Sequence, residues 1–284
     1  MNHSRNMMVF LVPALVFMLV ALLFPLLYVA FTSVNGFALD FSTYFSLPHK
    51  KLYRLALSNT VAISVATGAV ATMLGYVVAL NLARLSARKR ALCIALVMLP
   101  FWTSILVKSF AFVLILGNQG VLNSILRGLF GPGFEVHLLF NRTGVVIGLV
   151  HWLIPFAVFP ILNNLLEQDP NLTTAAKLMG GSRSLVFARV TLPLSMPAVA
   201  ASFVMCTVIA TGGIVTPALL GGRSDGMLSN LVDFYVRETL DWQMAATVAM
   251  SILALVGTFM AVSVAARGVR ARLRSGPALR ARGG

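Results

Sequence analysis

Apolar residues run along this chain in long unbroken blocks, not in the short alternation of a strand or the one-sided stripe of a soluble helix. Such blocks lie at roughly Met8–Phe31, Asn59–Leu82, Ala91–Leu116, Thr143–Leu166, Leu194–Leu219 and Trp242–Ala266. Each approaches or exceeds the roughly 20 residues that a helix needs to cross a bilayer. The period-two pattern of a transmembrane barrel does not recur. The blocks therefore predict an all-α, polytopic membrane protein with about six transmembrane helices. Composition agrees: 58% of residues are hydrophobic and 11% charged, with a mean hydropathy of +0.89, far from a soluble domain. The first block follows Arg5 but is longer than the apolar core of a cleaved signal, so it is read as a retained span.

Charge fixes the expected orientation. The net charge is +14, and with the first residues placed inside the cell, 14 of the 22 basic residues fall on the inner side. They cluster at Arg84–Arg90, at Lys177, Arg183 and Arg189, and from Arg267 onward. Loops rich in Lys and Arg stay on the cytoplasmic side, which predicts both termini cytoplasmic. The chain then divides into residues 1–58 (first span and outer segment), 59–266 (a core of spans two to six with an inner loop at 167–193) and 267–284 (a basic cytoplasmic tail). That tail has no aromatic residue for base stacking, so its expected partner is anionic membrane lipid and not nucleic acid.

No acidic residue falls mid-span: six lie in outer segments, and Glu167 and Asp169 lie at the inner boundary. Self-powered carriers rely on intramembrane carboxylates, so the energy source is expected on another polypeptide. The chain has no GxxxxGK[ST] phosphate loop and no catalytic triad or metal-ligand set, which argues against an enzyme. Cys93 and Cys206 fall within spans and are read as packing residues.

The polar interruption TAAKLMGGSRSLVFARVTLP, from Thr174 to Pro193, carries the most information. Asp169-Pro170 is a helix start, because the carboxylate accepts a free amide and proline suits the first helical position. Gly180-Gly181 is a stop. Ser182 can cap a second short helix through Arg189, and Pro193 and Pro197 mark a turn back into the membrane. The result is a helix–glycine–helix elbow, with Ala175 and Ala176 allowing close approach of a partner.

These residues resemble the signature loop of the membrane subunits of binding-protein-dependent ABC importers, which reads E-A-A-x(3)-G-x(9)-I-x-L-P. Ala175, Ala176, Gly180, Val190, Leu192 and Pro193 stand at matching positions, and Thr174 replaces the usual Glu. Leu99–Asn123, Thr216–Gly222 and Asp241–Ala249 are similar to segments of the spermidine/putrescine-type subfamily, and most of all to the first of its two permease subunits. The resemblance implies the type I importer permease fold in a bacterial inner membrane. It also implies a second permease subunit, two cytoplasmic P-loop ATPases that hold the ATP and Mg, and a periplasmic solute-binding protein. This chain itself would bind no cofactor.

For the solute pathway, the third span offers Trp102, Thr103, Ser104 and Lys108, polar groups unusual in hydrocarbon. The fifth offers Thr211 and Thr216, beside Gly212, Gly213 and Pro217, where backbone can loosen next to a wet cavity. Asp233 and Tyr235 in the outer segment are further candidates for meeting a cation. The expected solute is small and polar: a polyamine, an opine or an amino-acid-like molecule. Rival classes are a stand-alone secondary transporter, which should show an inverted repeat and a coupling-ion site, and a non-transporting membrane scaffold.

Overall fold

The computed structural model describes the backbone of residues 2–275 and the side chains of residues 12–265. Its helices are α1 (Asn2–Ser33), α2 (Ser42–Ser46), α3 (Lys51–Ala83), α4 (Ala87–Trp102), α5 (Ile105–Leu116) and α6 (Val121–Phe130). They continue as α7 (Arg142–Glu167), α8 (Pro170–Leu178), α9 (Arg183–Val186), α10 (Leu192–Thr211), α11 (Val215–Leu220), α12 (Leu228–Arg237) and α13 (Trp242–Ser275). Among the described residues there is no strand, and six helical segments are long and apolar enough to cross a membrane.

The long helices α3, α7 and α10 form the centre of the bundle. Small residues let them approach closely, the usual device where lipid offers no hydrophobic drive between helices. A Cβ on Gly75 would stand 2.6 Å from that of Ala157 on α7, and one on Gly68 would collide with the Thr207 hydroxyl on α10. The two glycines thus sit in the cleft between two neighbouring helices. Ile63, Leu149, Leu153, Ala157 and Ala210 fill the space between. α1 and α13 pair at the side of this trio, with the Thr247 hydroxyl donating to the Ser33 carbonyl at 3.2 Å. Along its most apolar stretch α1 turns its side chains outward.

Three differences from the sequence-based expectation follow from hydrogen bonding. The run Ala91–Leu116 is not one helix: Thr103 and Ser104 separate α4 from α5, and the third segment long and apolar enough to cross is Ile105–Phe130, which leaves α4 outside it. The run Leu194–Leu219 is also broken, at Gly212–Gly213, before the short α11. At its other end the fifth span has no turn at Pro193. α9 passes through a π-helical turn, Phe187–Thr191, directly into α10, and the Leu192 amide donates to the Phe187 carbonyl. A wider turn of this kind absorbs the register change just before a proline that has no amide of its own to give.

α3 starts at Lys51, well before its apolar run, so the boundary expected after residue 58 falls inside a continuous helix. α13 runs to Ser275; residues 276–284 of the basic segment expected as a tail lie outside the described residues.

Candidate functional site

The loop joining α7 to α10 is built almost wholly from local caps. The Asp169 carboxylate accepts the Asn171 amide at 2.9 Å, and Pro170 occupies the first helical position of α8. At the far end, the Gly180 amide donates to the Lys177 carbonyl at 3.0 Å and the Gly181 amide to the Ala176 carbonyl at 3.1 Å. This pair of bonds is a Schellman cap. Gly180 adopts φ +84°, a left-handed conformation that costs a side-chain-bearing residue about 1–2 kcal/mol. Ser182 then caps α9, its hydroxyl accepting the Leu185 amide at 3.3 Å.

Within the elbow Ala175 is exposed and Ala176 half-buried, while Val190, Leu192 and Pro193 are partly covered in and after the π turn. Leu178 is 85% and Met179 88% exposed at the tip, beside the exposed Lys177 and Arg183. Thr174 stands on the open face, and its hydroxyl donates back to the Pro170 carbonyl at 3.0 Å. It presents no charge to a partner, where a glutamate would.

The candidates expected on the third span meet at the break between α4 and α5. The Pro100 carbonyl, left without a helical amide by the interruption, accepts the Thr103 hydroxyl at 2.9 Å and the Lys108 ammonium at 2.6 Å. Ser104 stands at the N-cap position of α5 without a side-chain cap bond. Trp102, at the end of α4, is 80% exposed, with its ring edge-on to Phe101 at 5.9 Å.

The fifth-span break is held the same way from α12. The Ser229 hydroxyl donates to the Gly213 carbonyl and the Asn230 amide group to the Ile214 carbonyl at 2.9 Å. Thr211 and Thr216 are buried. Thr211 turns onto the Val208 carbonyl, while the Thr216 hydroxyl lies 3.4 Å from that of Ser109 on α5. The half-helices α5 and α11 that follow the two breaks thus pack on each other.

Asp233 and Tyr235 stand apart from this pair of breaks. Asp233 takes an ion pair from Arg237 at 2.7 Å on an exposed face. Tyr235 is buried with Tyr53, Leu228 and Met244. Burial, and after it the Asp241 carboxylate, push its phenol above the usual range.

Sequence reasoning missed the residues that pin the segment between α11 and α12. The Asn59 amide group, wholly buried, donates to the carbonyls of Ser224 at 2.6 Å and Gly226 at 3.1 Å. Asp225 accepts from the Gly222 amide and from Arg142 Nε, each at 3.1 Å. The signal was an amide side chain inside an apolar run, which in hydrocarbon needs a partner.

An importer-type elbow and two interrupted, mutually packed spans are the features that comparison with known proteins can decide. The sequence model of the family described as "Binding-protein-dependent transport system inner membrane component" matches residues 71–274. The chain belongs to that family. It is a permease subunit of an ABC importer, a multi-pass inner-membrane protein and not an enzyme. It is 28% identical to the spermidine/putrescine transport system permease protein PotB of Escherichia coli (strain K12), over 74% of this chain and 77% of that one. PotB of Haemophilus influenzae is also 28% identical, over 74% of each. A chain of the bacterial alginate ABC transporter, solved with an alginate pentasaccharide-bound periplasmic protein, superposes with a TM-score of 0.76 at 19% identity, covering 92% of this permease and 94% of that chain. Importer permeases work with ATPase and binding-protein partners, which accounts for the absence of a phosphate loop here.

Proposed function

We propose that this permease forms half of a pathway for a small polar solute of the polyamine type, opposite a second permease subunit that is a distinct chain. Two cytoplasmic ATPases, holding the ATP and Mg, dock on the elbows of the pair, and a periplasmic binding protein delivers solute at the opposite face. Both termini are cytoplasmic in this reading, supported by the distribution of Lys and Arg between the two ends of the bundle. The solute class rests on the likeness to PotB, whose name specifies spermidine and putrescine.

The observation that carries the docking role is the Schellman-capped elbow, which presents Leu178 and Met179 almost fully exposed. Apolar side chains at the tip of a rigid loop supply the kind of anchor that fills a pocket on a partner. ATP-driven closure of the ATPase pair would then move the elbows, and the spans joined to them, as rigid bodies.

For the pathway, the breaks between α4 and α5 and between α10 and α11 are the preferred region, since transporter sites form where membrane helices are discontinuous and line a cavity. Trp102, Thr103, Ser104 and Lys108, with Thr211 and Thr216, flank those breaks. The Lys108 charge is directed at the Pro100 carbonyl, which lessens the repulsion a cationic solute would meet.

Affinity purification of the complex in mild detergent tests the reading. A P-loop ATPase and a second permease are expected to copurify with the wild-type chain, and the ATPase to be lost from Gly180→Trp. A chain that purifies alone from membranes where it is active would overturn it.

A further inference from the structure

One cavity lies in the groove between α3 and α10, and a second lies beyond it, among the end of α3, the end of α7, α8, α9 and the π turn. The first, of about 470 Å³, is walled almost wholly by carbon, with Ala69, Met73 and Val77 on α3 facing Met196, Ala200 and Phe203 on α10. The second, of about 560 Å³, opens at the elbow end, where Leu80 and Phe187 continue the apolar wall and Arg84, Lys177 and Arg183 line the mouth. Tyr76 joins the two: its hydroxyl lies 2.9 Å from that of Ser195 and its ring lies against Phe187 at 6.3 Å.

The charge at the mouth is unbalanced. Among the described residues none of the three cations is in an ion pair. Asp169 also lines this cavity, its carboxylate capping α8, so three cations face a single carboxylate there. The length of the groove is equally specific. From Leu192 to Phe203 the helix rises about 16 Å, close to the half-thickness of a hydrocarbon core, about 15 Å. A tyrosine stands where the apolar part gives way to the charged part, as at a headgroup boundary.

We propose that this groove is a binding site for an anionic phospholipid, with an acyl chain between α3 and α10 and the headgroup phosphate among Arg84, Lys177 and Arg183. A polar solute would find almost no hydrogen-bonding group along the apolar half, and a zwitterionic lipid would leave the cations without net compensation. Because one wall belongs to α10, which is continuous with the elbow through the π turn, a lipid held here contacts the element that carries the ATPase-docking loop. The site requires only that the elbow end lie at a membrane boundary. It therefore stands or falls separately from the choice of solute.

The test uses the assembled transporter in phosphatidylcholine vesicles doped with photoreactive phosphatidylglycerol or photoreactive phosphatidylcholine, and maps the labelled peptides by mass spectrometry. Phosphatidylglycerol is expected to label both the 69–84 and 187–203 walls about fivefold or more above phosphatidylcholine, the preference that roughly one well-placed cation gives at a membrane surface. Arg84→Gln, Lys177→Gln and Arg183→Gln combined should bring that ratio to about one. Ala200→Trp, or the milder Met196→Phe, should lower labelling of both walls by either lipid. Equal labelling by the two lipids overturns the proposal. So does loss of the preference in excess inorganic phosphate but not in chloride of the same ionic strength, which assigns the mouth to a free anion. Efficient cross-linking of Met73→Cys to the second permease would overturn it as well, by showing that protein covers the groove. ATPase copurification, measured on the same samples, reports separately on the importer reading.

Discussion

The elbow and the paired breaks are both departures from straight membrane helix, yet they are held by opposite means. Every bond that shapes the elbow, from the Asp169 cap through the Gly180 and Gly181 amides to the Ser182 cap, joins residues at most five apart. At the breaks the local Thr103–Pro100 bond is joined by bonds from further along the chain: Lys108 reaches back to Pro100, and Ser229 and Asn230 reach Gly213 and Ile214 across sixteen residues. A partner-facing loop in water can rely on its own caps because solvent satisfies whatever is left. A break inside a bundle has no such reserve, so each freed carbonyl needs a named donor.

The largest effect that would test this contrast is functional. Gly180→Trp and Ala176→Trp are expected to reduce solute uptake to background. The strain at Gly180, about 1–2 kcal/mol, leaves the chain folded and inserted, as gel filtration of the detergent-solubilised protein should show. Uptake near the wild-type level would mean that the elbow does not bear the docking load. Next comes the pair Ser229→Ala with Asn230→Ala. Leaving the buried Gly213 carbonyl unpaired costs about 1–3 kcal/mol and loss of the exposed Asn230–Ile214 bond less, read together as a clear fall in thermal stability in detergent. No fall would mean that the Gly212–Gly213 break is set locally, like the elbow.

Lys108→Met removes one charged hydrogen bond and should cost about 1.5–3 kcal/mol, measured in the same assay. Gly68→Ala should destabilise by about 1–3 kcal/mol through overpacking, because the added carbon meets the Thr207 hydroxyl. Combining it with Thr207→Ala should recover much of the loss, and failure to do so would remove the close-approach explanation. The smallest effect is expected at Asp233→Asn. Its ion pair with Arg237 is an exposed pair one turn apart, worth about 0.3–0.5 kcal/mol. A larger shift would mean that Asp233 holds something besides that arginine.

How much was legible divides along the same line. The Asp169-Pro170 start, the Gly180-Gly181 stop and the Ser182 cap are readable because each is a residue type answering a backbone need within one turn. The end of the second elbow helix is not, since Pro193 reads locally as a turn. What the residues alone do not disclose is that a π turn at Phe187–Thr191 lets the helix continue. The polar density at Trp102–Lys108 is plain in the sequence, but whether it forms a straight span or a break depends on where the Lys108 ammonium goes. Asp233 and Tyr235 look equivalent in sequence, and tertiary packing separates them, one into solvent and one into the core.

By itself, the sequence determined the membrane class, the number of apolar segments and the form of the elbow, because bilayer thickness and helix caps act on residues close together along the chain. The tertiary structure decided where two of the spans break, which small residues touch, how Asn59 and Asp225 pin the segment between α11 and α12, and that α3 and α10 leave a groove ending in three cations. Those features depend on groups brought together from distant parts of the chain, and in a medium without water only such a meeting can satisfy a freed carbonyl or leave a charge unpaired beside a cavity.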